Sequence, residues 1–168
     1  IDQKLFDGRL VLGITWFDSH FNNLIQFDSQ TFRPENIGTA RSNGTESFLN
    51  FQWTDNLDLS LNHTWNQAVD GDGARLLRRA KQKLNATLHH NWRNKLDSRV
   101  SLSYKSNIRD FGPGAAGFTT VRVVLSYQLL DNLKITARGE NLFDDDHEEI
   151  PGFGTAGVSG YAGLTYNF

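Results

Sequence analysis

Apolar and polar residues alternate with a period of two along most of the chain. This is the signature of strands that turn one face to an apolar phase and the other to water. The last nine residues show it most plainly: Ala162, Leu164, Tyr166 and Phe168 share one face, and Tyr161, Gly163, Thr165 and Asn167 the other. A first strand carries Leu10, Leu12, Ile14 and Trp16 on one side and continues with less order through Phe27. A return strand over 39–53 aligns Thr45, Ser47, Leu49, Phe51 and Trp53. Leu57, Leu59, Leu61, His63 and Trp65 follow, then Leu84, Ala86, Leu88, His90 and Trp92, then Val100, Leu102 and Tyr104. Val121, Val123, Leu125, Tyr127 and Leu129, and next Leu133, Ile135 and Ala137, lead to the terminal strand. The pattern predicts about eight antiparallel strands.

The connections alternate too. Dipeptide turns at Asp7-Gly8, Asp55-Asn56, Asn94-Lys95 and Asp131-Asn132 are separated by polar stretches expected to be loops, over 29–36, 67–74, 107–118 and around the acidic run 144–149. The last three turns fall 39 and 37 residues apart, room for two long strands with one short and one long connection. Short turns at one end and long loops at the other characterise outer-membrane barrels. Trp53, Trp65, Trp92, Tyr104, Tyr127, Tyr166 and Phe168 sit on the apolar faces near strand ends, mostly beside the short turns, as an interfacial aromatic belt would. The expected fold class is therefore all-β, an antiparallel transmembrane β-barrel.

Composition changes this picture little. A net charge of −2 over 168 residues gives no nucleic-acid footprint, and the absence of cysteine excludes disulfides and thiolate metal sites. No methionine is present and the chain opens at Ile1 in polar sequence with no signal peptide, as expected of a mature form or an excised piece. No apolar run is long enough for a membrane-spanning helix. A mean hydropathy of −0.48 still suits a membrane barrel, because alternation halves each strand's apolar signal.

The faces expected to point inward carry Glu46, Asn50, Asp58, Lys83, Arg99, Lys105, Arg122, Lys134, Arg138 and Glu140. They would either fill a small eight-stranded barrel as an ion-pair network or line a larger lumen holding a plug. Asp144 to Glu149 offers clustered oxygens to a hard cation but lacks the spacing of a calcium loop, so a solvated or lipopolysaccharide-facing loop is the plainer reading. His89 and His90 alternate faces and cannot chelate one metal from a strand. Arg78-Arg79 with Lys81 and Lys83 suits either the phosphates of lipopolysaccharide or a transported ligand. No nucleophile–base constellation, phosphate loop or catalytic carboxylate pair is recognisable, so no enzyme, cofactor or metal site is expected.

Several motifs resemble one family. Asn36-Ile37-Gly38-Thr39-Ala40-Arg41-Ser42-Asn43-Gly44-Thr45-Glu46 resembles a glycine-x-alanine-arginine segment of the TonB-dependent outer-membrane receptors. Gly139-Glu140-Asn141-Leu142-Phe143-Asp144 is similar to that family's near-terminal box, as is Gly152-Phe153-Gly154-Thr155-Ala156-Gly157 before the last strand. Leu76-Leu77-Arg78-Arg79-Ala80-Lys81-Gln82 resembles the cobalamin receptors within the family. The resemblance implies a barrel of roughly 22 strands with a plugged lumen, of which residues 1–168 would be the C-terminal eight or so, without the plug domain and TonB box. It further implies an active transporter in the outer membrane of a Gram-negative bacterium, importing cobalamin or an iron-siderophore and energised by TonB through the plug. In the cobalamin receptors the first arginine of the double-arginine run contacts the corrinoid, which carries over to Arg78, with Arg79 beside it. Strict alternation back from Leu84 puts Arg79 inward and Arg78 outward, so a bulge near the rim is expected. Tyr166 and Phe168 would form the signal for the barrel-assembly machinery. The alternative is a self-contained eight-stranded outer-membrane barrel with a structural or adhesion role; a membrane-embedded hydrolase is a third reading. The first two differ in whether the strand over 8–16 pairs with that over 160–168, and open edges are the expectation for the larger barrel.

Overall fold

The computed structural model describes residues 1–28, 31, 33–36, 38–110, 112 and 114–168; positions 29, 30, 32, 37, 111 and 113, which fall in two expected loops and in the 36–46 motif, lie outside the described residues. The described residues form β1 (Asp2–Leu5), β2 (Leu10–Asn22), β3 (Ile25–Asp28), β4 (Arg33–Asn36), β5 (Thr39–Thr54), β6 (Leu57–Asp70), β7 (Gln82–Trp92), β8 (Leu96–Lys105), β9 (Phe118–Leu130), β10 (Leu133–Glu140), β11 (Glu148–Ile150), β12 (Phe153–Gly154) and β13 (Ser159–Tyr166). One antiparallel sheet runs β1-β2-β5-β6-β7-β8-β9-β10-β13, and β3-β4 and β11-β12 are separate hairpins. The eight long strands are those the alternation predicts. β1 and β13, the two ends of the sheet, are not neighbours among the described residues.

Three expectations about element boundaries need correction. The first strand does not continue to Phe27: it ends at Asn22, Asn23 takes a left-handed backbone (φ 58°), and 25–36 holds the β3-β4 hairpin where a loop was expected. Pro34 fits there because a two-stranded ribbon has a free edge on which no N–H is needed. The polar stretch 67–74 is not all loop, since β6 runs on to Asp70 before Gly71 and Gly73 turn the chain. The third short turn sits one residue earlier than read. Arg93 and Asn94 both have positive φ (49° and 55°) and Lys95 N–H donates to Trp92 C=O at 3.0 Å, the geometry of a type I′ hairpin.

The register decides which residues share a face. Leu12 pairs with Leu49, Leu49 with Leu61, Leu61 with Ala86, Ala86 with Leu102 and Leu102 with Val121. Farther along, Leu125 pairs with Ala137 and Ala137 with Ala162, so every apolar set read from the sequence lies on one surface. That surface is not covered: Leu88, Leu125 and Leu164 are exposed, as are Trp16, Trp53 and Trp92. No large side chain of the described residues is fully buried, and the small buried clusters, Ala40–Ala68–Leu76 and Ala80–Ile108–Ala115, sit at the long-loop end. An uncovered apolar face over a whole sheet needs a nonaqueous partner, which is hydrocarbon in a membrane wall.

The aromatic residues form two bands rather than one. Trp53, Trp92, Tyr127, Tyr166 and Phe168 lie toward the short turns, but Trp65 and Tyr104 lie at the opposite ends of their strands, where Trp16 joins them. From Leu57 to Trp65 the outward residues span about 27 Å of strand, which at a tilt of about 40° is about 20 Å of membrane. On the inner face Gly13 opposes Phe48 and Gly44 opposes Phe17. A Cβ added at Gly13 would fall 2.4 Å from the Phe48 ring, so each glycine makes room for an aromatic ring lying across the strand.

Candidate functional site

The inner face is built from cross-strand rungs of polar side chains. Asn50, Ser60, Thr87, Ser101 and Arg122 form one rung, and Asp58, His89 and Arg99 another. Cross-strand neighbours hydrogen-bond, as Ser60 Oγ does to Asn50 Oδ1 (2.9 Å) and, on another rung, Ser103 Oγ to Asn85 Oδ1 (2.8 Å). Toward the short turns His89 faces Asp58 through Nδ1 and Asp97 through Nε2, both at hydrogen-bonding distance. His90 points to the other surface and packs edge-on against Trp92 (5.4 Å), so the two histidines are separated as expected. No group of three metal-ligating side chains gathers among the described residues.

At the long-loop end the inner face opens into a cleft of about 540 Å³ between β7–β10, the start of β13 and the segment 141–158. Its wall holds Lys83, Lys105, Phe118, Arg122, Glu140, His147 and Glu149. Lys83 and Lys105 are directly opposite one another on paired strands. Like charges in that position repel. Glu149, 3.9 Å from Lys105 Nζ, offsets part of this, and Lys105 also lies 5.7 Å from the Phe118 ring centre. The His147 ring stacks on Phe118 at 4.1 Å. Deeper, Glu140 is shared by Arg122 (3.5 Å) and Arg138 (3.4 Å), and Arg138 lies 4.2 Å over the Tyr161 ring. The cleft thus offers cations, two aromatic faces and few unshared anions. A volume of this size suits a small molecule.

The segment 141–158 that walls the cleft is held by Asn141. This buried residue has φ 49°, its Nδ2 donates to the carbonyls of Asp145 (3.1 Å) and Ala156 (3.2 Å), and its Oδ1 accepts from Asp145 N–H (3.2 Å). The acidic run is used in the same way. Asp144 accepts from Val158 N–H, Asp145 from Thr119 N–H and Glu148 from Gly152 N–H. These carboxylates fold the loop, a use that neither reading of that run named.

The double-arginine run lies in irregular chain at the same end, not on a strand with a bulge. Arg78 has φ 57°, its N–H donates to Arg109 C=O (2.7 Å), and its Nε donates to both oxygens of the buried Asp110 carboxylate (3.1 and 2.9 Å). Arg79 is exposed. Both arginines border a second groove of about 250 Å³ with Leu24, Ile25, Phe27 and Leu77. Tyr166 and Phe168 sit at the opposite pole, exposed, with their rings edge-on at 5.1 Å. Sequence reasoning quoted Asn141 only as part of a motif and did not single out Asp110, His147 or Phe118.

Residues 1–142 match the family described as TonB dependent receptor-like, beta-barrel. The chain belongs to that family. Its members are transporters of the Gram-negative outer membrane and not enzymes, and this chain is accordingly an outer-membrane β-barrel protein. The fold is similar to that of the ferric-catecholate import receptor Fiu of E. coli K12 (TM-score 0.77, 16% identity, 99% of this chain and 26% of that one). It is also similar to that of the ferripyoverdine receptor of Pseudomonas aeruginosa (TM-score 0.80, 15% identity, 99% and 26%) and of the siderophore receptor PiuA of Acinetobacter baumannii (TM-score 0.76, 16% identity, 98% and 27%). The chain therefore spans about a quarter of the length of these structures.

Proposed function

We propose that this chain is the C-terminal wall of a larger, plugged TonB-dependent importer of cobalamin or an iron-siderophore, and that the cleft at its long-loop end meets the ligand. What carries the reading is the opposition of Lys83 and Lys105 on the inner face, a local excess of positive charge that an anionic or phosphate-bearing chelate would relieve. That β1 and β13 do not pair among the described residues supports membership of a wider wall, and the share of the matched receptors that the chain spans agrees. In this reading the plug domain and TonB box belong to the rest of the receptor, and TonB acts through that plug. Arg79 and, through its ion pair with Asp110, Arg78 border the outer groove and contribute to ligand entry. Tyr166 and Phe168 serve as the signal to the barrel-assembly machinery.

The test is a binding titration on the whole receptor with cyanocobalamin and a panel of ferric siderophores. Lys83→Gln with Lys105→Gln should weaken binding of the cognate ligand by about tenfold or more, and Arg79→Ala by less. Arg78→Ala reads differently, because it also strips the buried Asp110 carboxylate of its guanidinium and disturbs the loop. Full affinity in the double lysine variant overturns the assignment of the cleft.

A further inference from the structure

The cleft is lined by two carboxylates, Glu140 and Glu149, and they are held in different ways. Glu140 lies on β10, is 37% exposed and is shared by Arg122 and Arg138 at 3.5 and 3.4 Å. Glu149 is 64% exposed, and its Oε2 stands 3.9 Å from Lys105 Nζ. At that distance the charges attract without a direct hydrogen bond, and an ion pair so open to water contributes little. Glu140 stays with its arginines, and Glu149 is the anion that can leave.

The element that carries Glu149 is built to move with it. The β11-β12 hairpin makes no ladder with the main sheet. A two-stranded ribbon is marginal alone, and this one is closed by its own groups. Gly152 N–H donates to Glu148 Oε2 (2.7 Å), and Thr155 Oγ1 donates to His147 C=O (2.8 Å). The chain enters through Asn141 and Asp144 and turns at Gly152, all with positive φ (49°, 52° and 85°). His147 and Glu149, two residues apart, point the same way across the cleft, while Glu148 between them serves the hairpin's own turn. The His147 ring lies on Phe118 of β9, with its Nδ1 donating to Asp145 C=O (2.9 Å), and Glu149 faces Lys105 of β8.

Lys105 is therefore claimed from two sides. Lys83 opposes it across the β7-β8 ladder, which favours an anion between them, and Glu149 approaches it from the hairpin. An incoming anion both competes for the Lys105 ammonium and repels the Glu149 carboxylate.

We infer that Glu149 is a resident competitor: it holds Lys105 in the unliganded cleft, an anionic ligand displaces it, and the displacement releases the β11-β12 hairpin. A ligand without negative charge gains nothing from Lys105 and leaves the contact in place. Glu149 thereby tunes the site against weakly charged ligands. The inference rests on the cleft proposed above as the ligand site.

Isothermal titration and amide exchange on the whole receptor test it, with inorganic pyrophosphate as the probe and sodium chloride at equal ionic strength as the control for screening. Glu149→Gln should tighten pyrophosphate binding by about fivefold, whereas loss of a merely structural contact would weaken it or leave it unchanged. In a Lys105→Gln background the same substitution should have no effect on affinity, because the group competed for is gone. Pyrophosphate, but not chloride, should quicken amide exchange across β11 and β12 in the unmodified receptor, and in Glu149→Gln that exchange should be fast already. Heat-modifiable migration on gels confirms that each variant is folded. If Lys83→Gln with Lys105→Gln loses pyrophosphate but Glu149→Gln binds it no more tightly than the unmodified receptor, the cleft stands and the competitor is overturned. Pyrophosphate that fails to bind, or binds regardless of the lysines, overturns the cleft and the competitor with it.

Discussion

Asn141 shows what a single side chain does in a protein with almost no interior. Its three hydrogen bonds join the end of β10 to both limbs of the segment 141–158, and that segment is one wall of the cleft. Asn141→Ala removes all three and leaves alanine in a left-handed backbone that asparagine tolerates better. Amide exchange across 144–158 should then quicken by about tenfold or more, with the sheet amides unchanged; equal exchange rates would deny Asn141 this role. The residue stood in plain view within a motif, but its task did not, because the groups it bonds lie 4 and 15 positions away. The same holds for Arg78, whose carboxylate partner is 32 residues on. Local spacing carries no record of such pairings. The expected rim bulge failed for a related reason: alternation was extrapolated back from Leu84 through chain that Gln82 separates from the strands.

At the scale of single elements the alternation was a sufficient guide wherever a strand crosses hydrocarbon. There most alternate residues are apolar, and β5 through β10 and β13 are legible from that pattern. Where strands leave the membrane the rule lapses, so the top of β6 from Gln67 to Asp70 reads as loop although its ladder continues. β1 is too short to show a period, and Pro34 argues against a strand in β4. A pair of adjacent substitutions tests the alternation. Leu61 lies midway between the aromatic bands on the outer face, and Asn62 lies beside it on the inner one. Leu61→Arg should cost about 2–4 kcal/mol in a reversible folding titration in lipid, and Asn62→Arg much less. Equal costs would mean that the faces are misassigned.

For the whole molecule the decisive feature is that β1 and β13 are not neighbours among the described residues. The chain contains no cysteine, so within it introduced pairs have no native thiol to compete with them. Gln3→Cys combined in turn with Ala162→Cys, Leu164→Cys or Tyr166→Cys should form no disulfide within one chain of the receptor under oxidation. If one combination links efficiently, β1 and β13 are adjacent, and the self-contained barrel with a structural or adhesion role becomes the better reading. In the sequence, the expectation of open edges came only through a family resemblance. Strand periodicity has no means of counting neighbours that another part of a protein would supply.

The distance between the aromatic bands has its own consequence. A slab of about 20 Å is shallower than the roughly 30 Å core of an ordinary bilayer and closer to that of a bacterial outer membrane. In a thicker phospholipid bilayer the acyl chains around this wall would have to compress or the strands tilt further. Hydrophobic mismatch of this kind would disfavour residence in the inner membrane and retain the protein in the envelope layer whose thickness it fits.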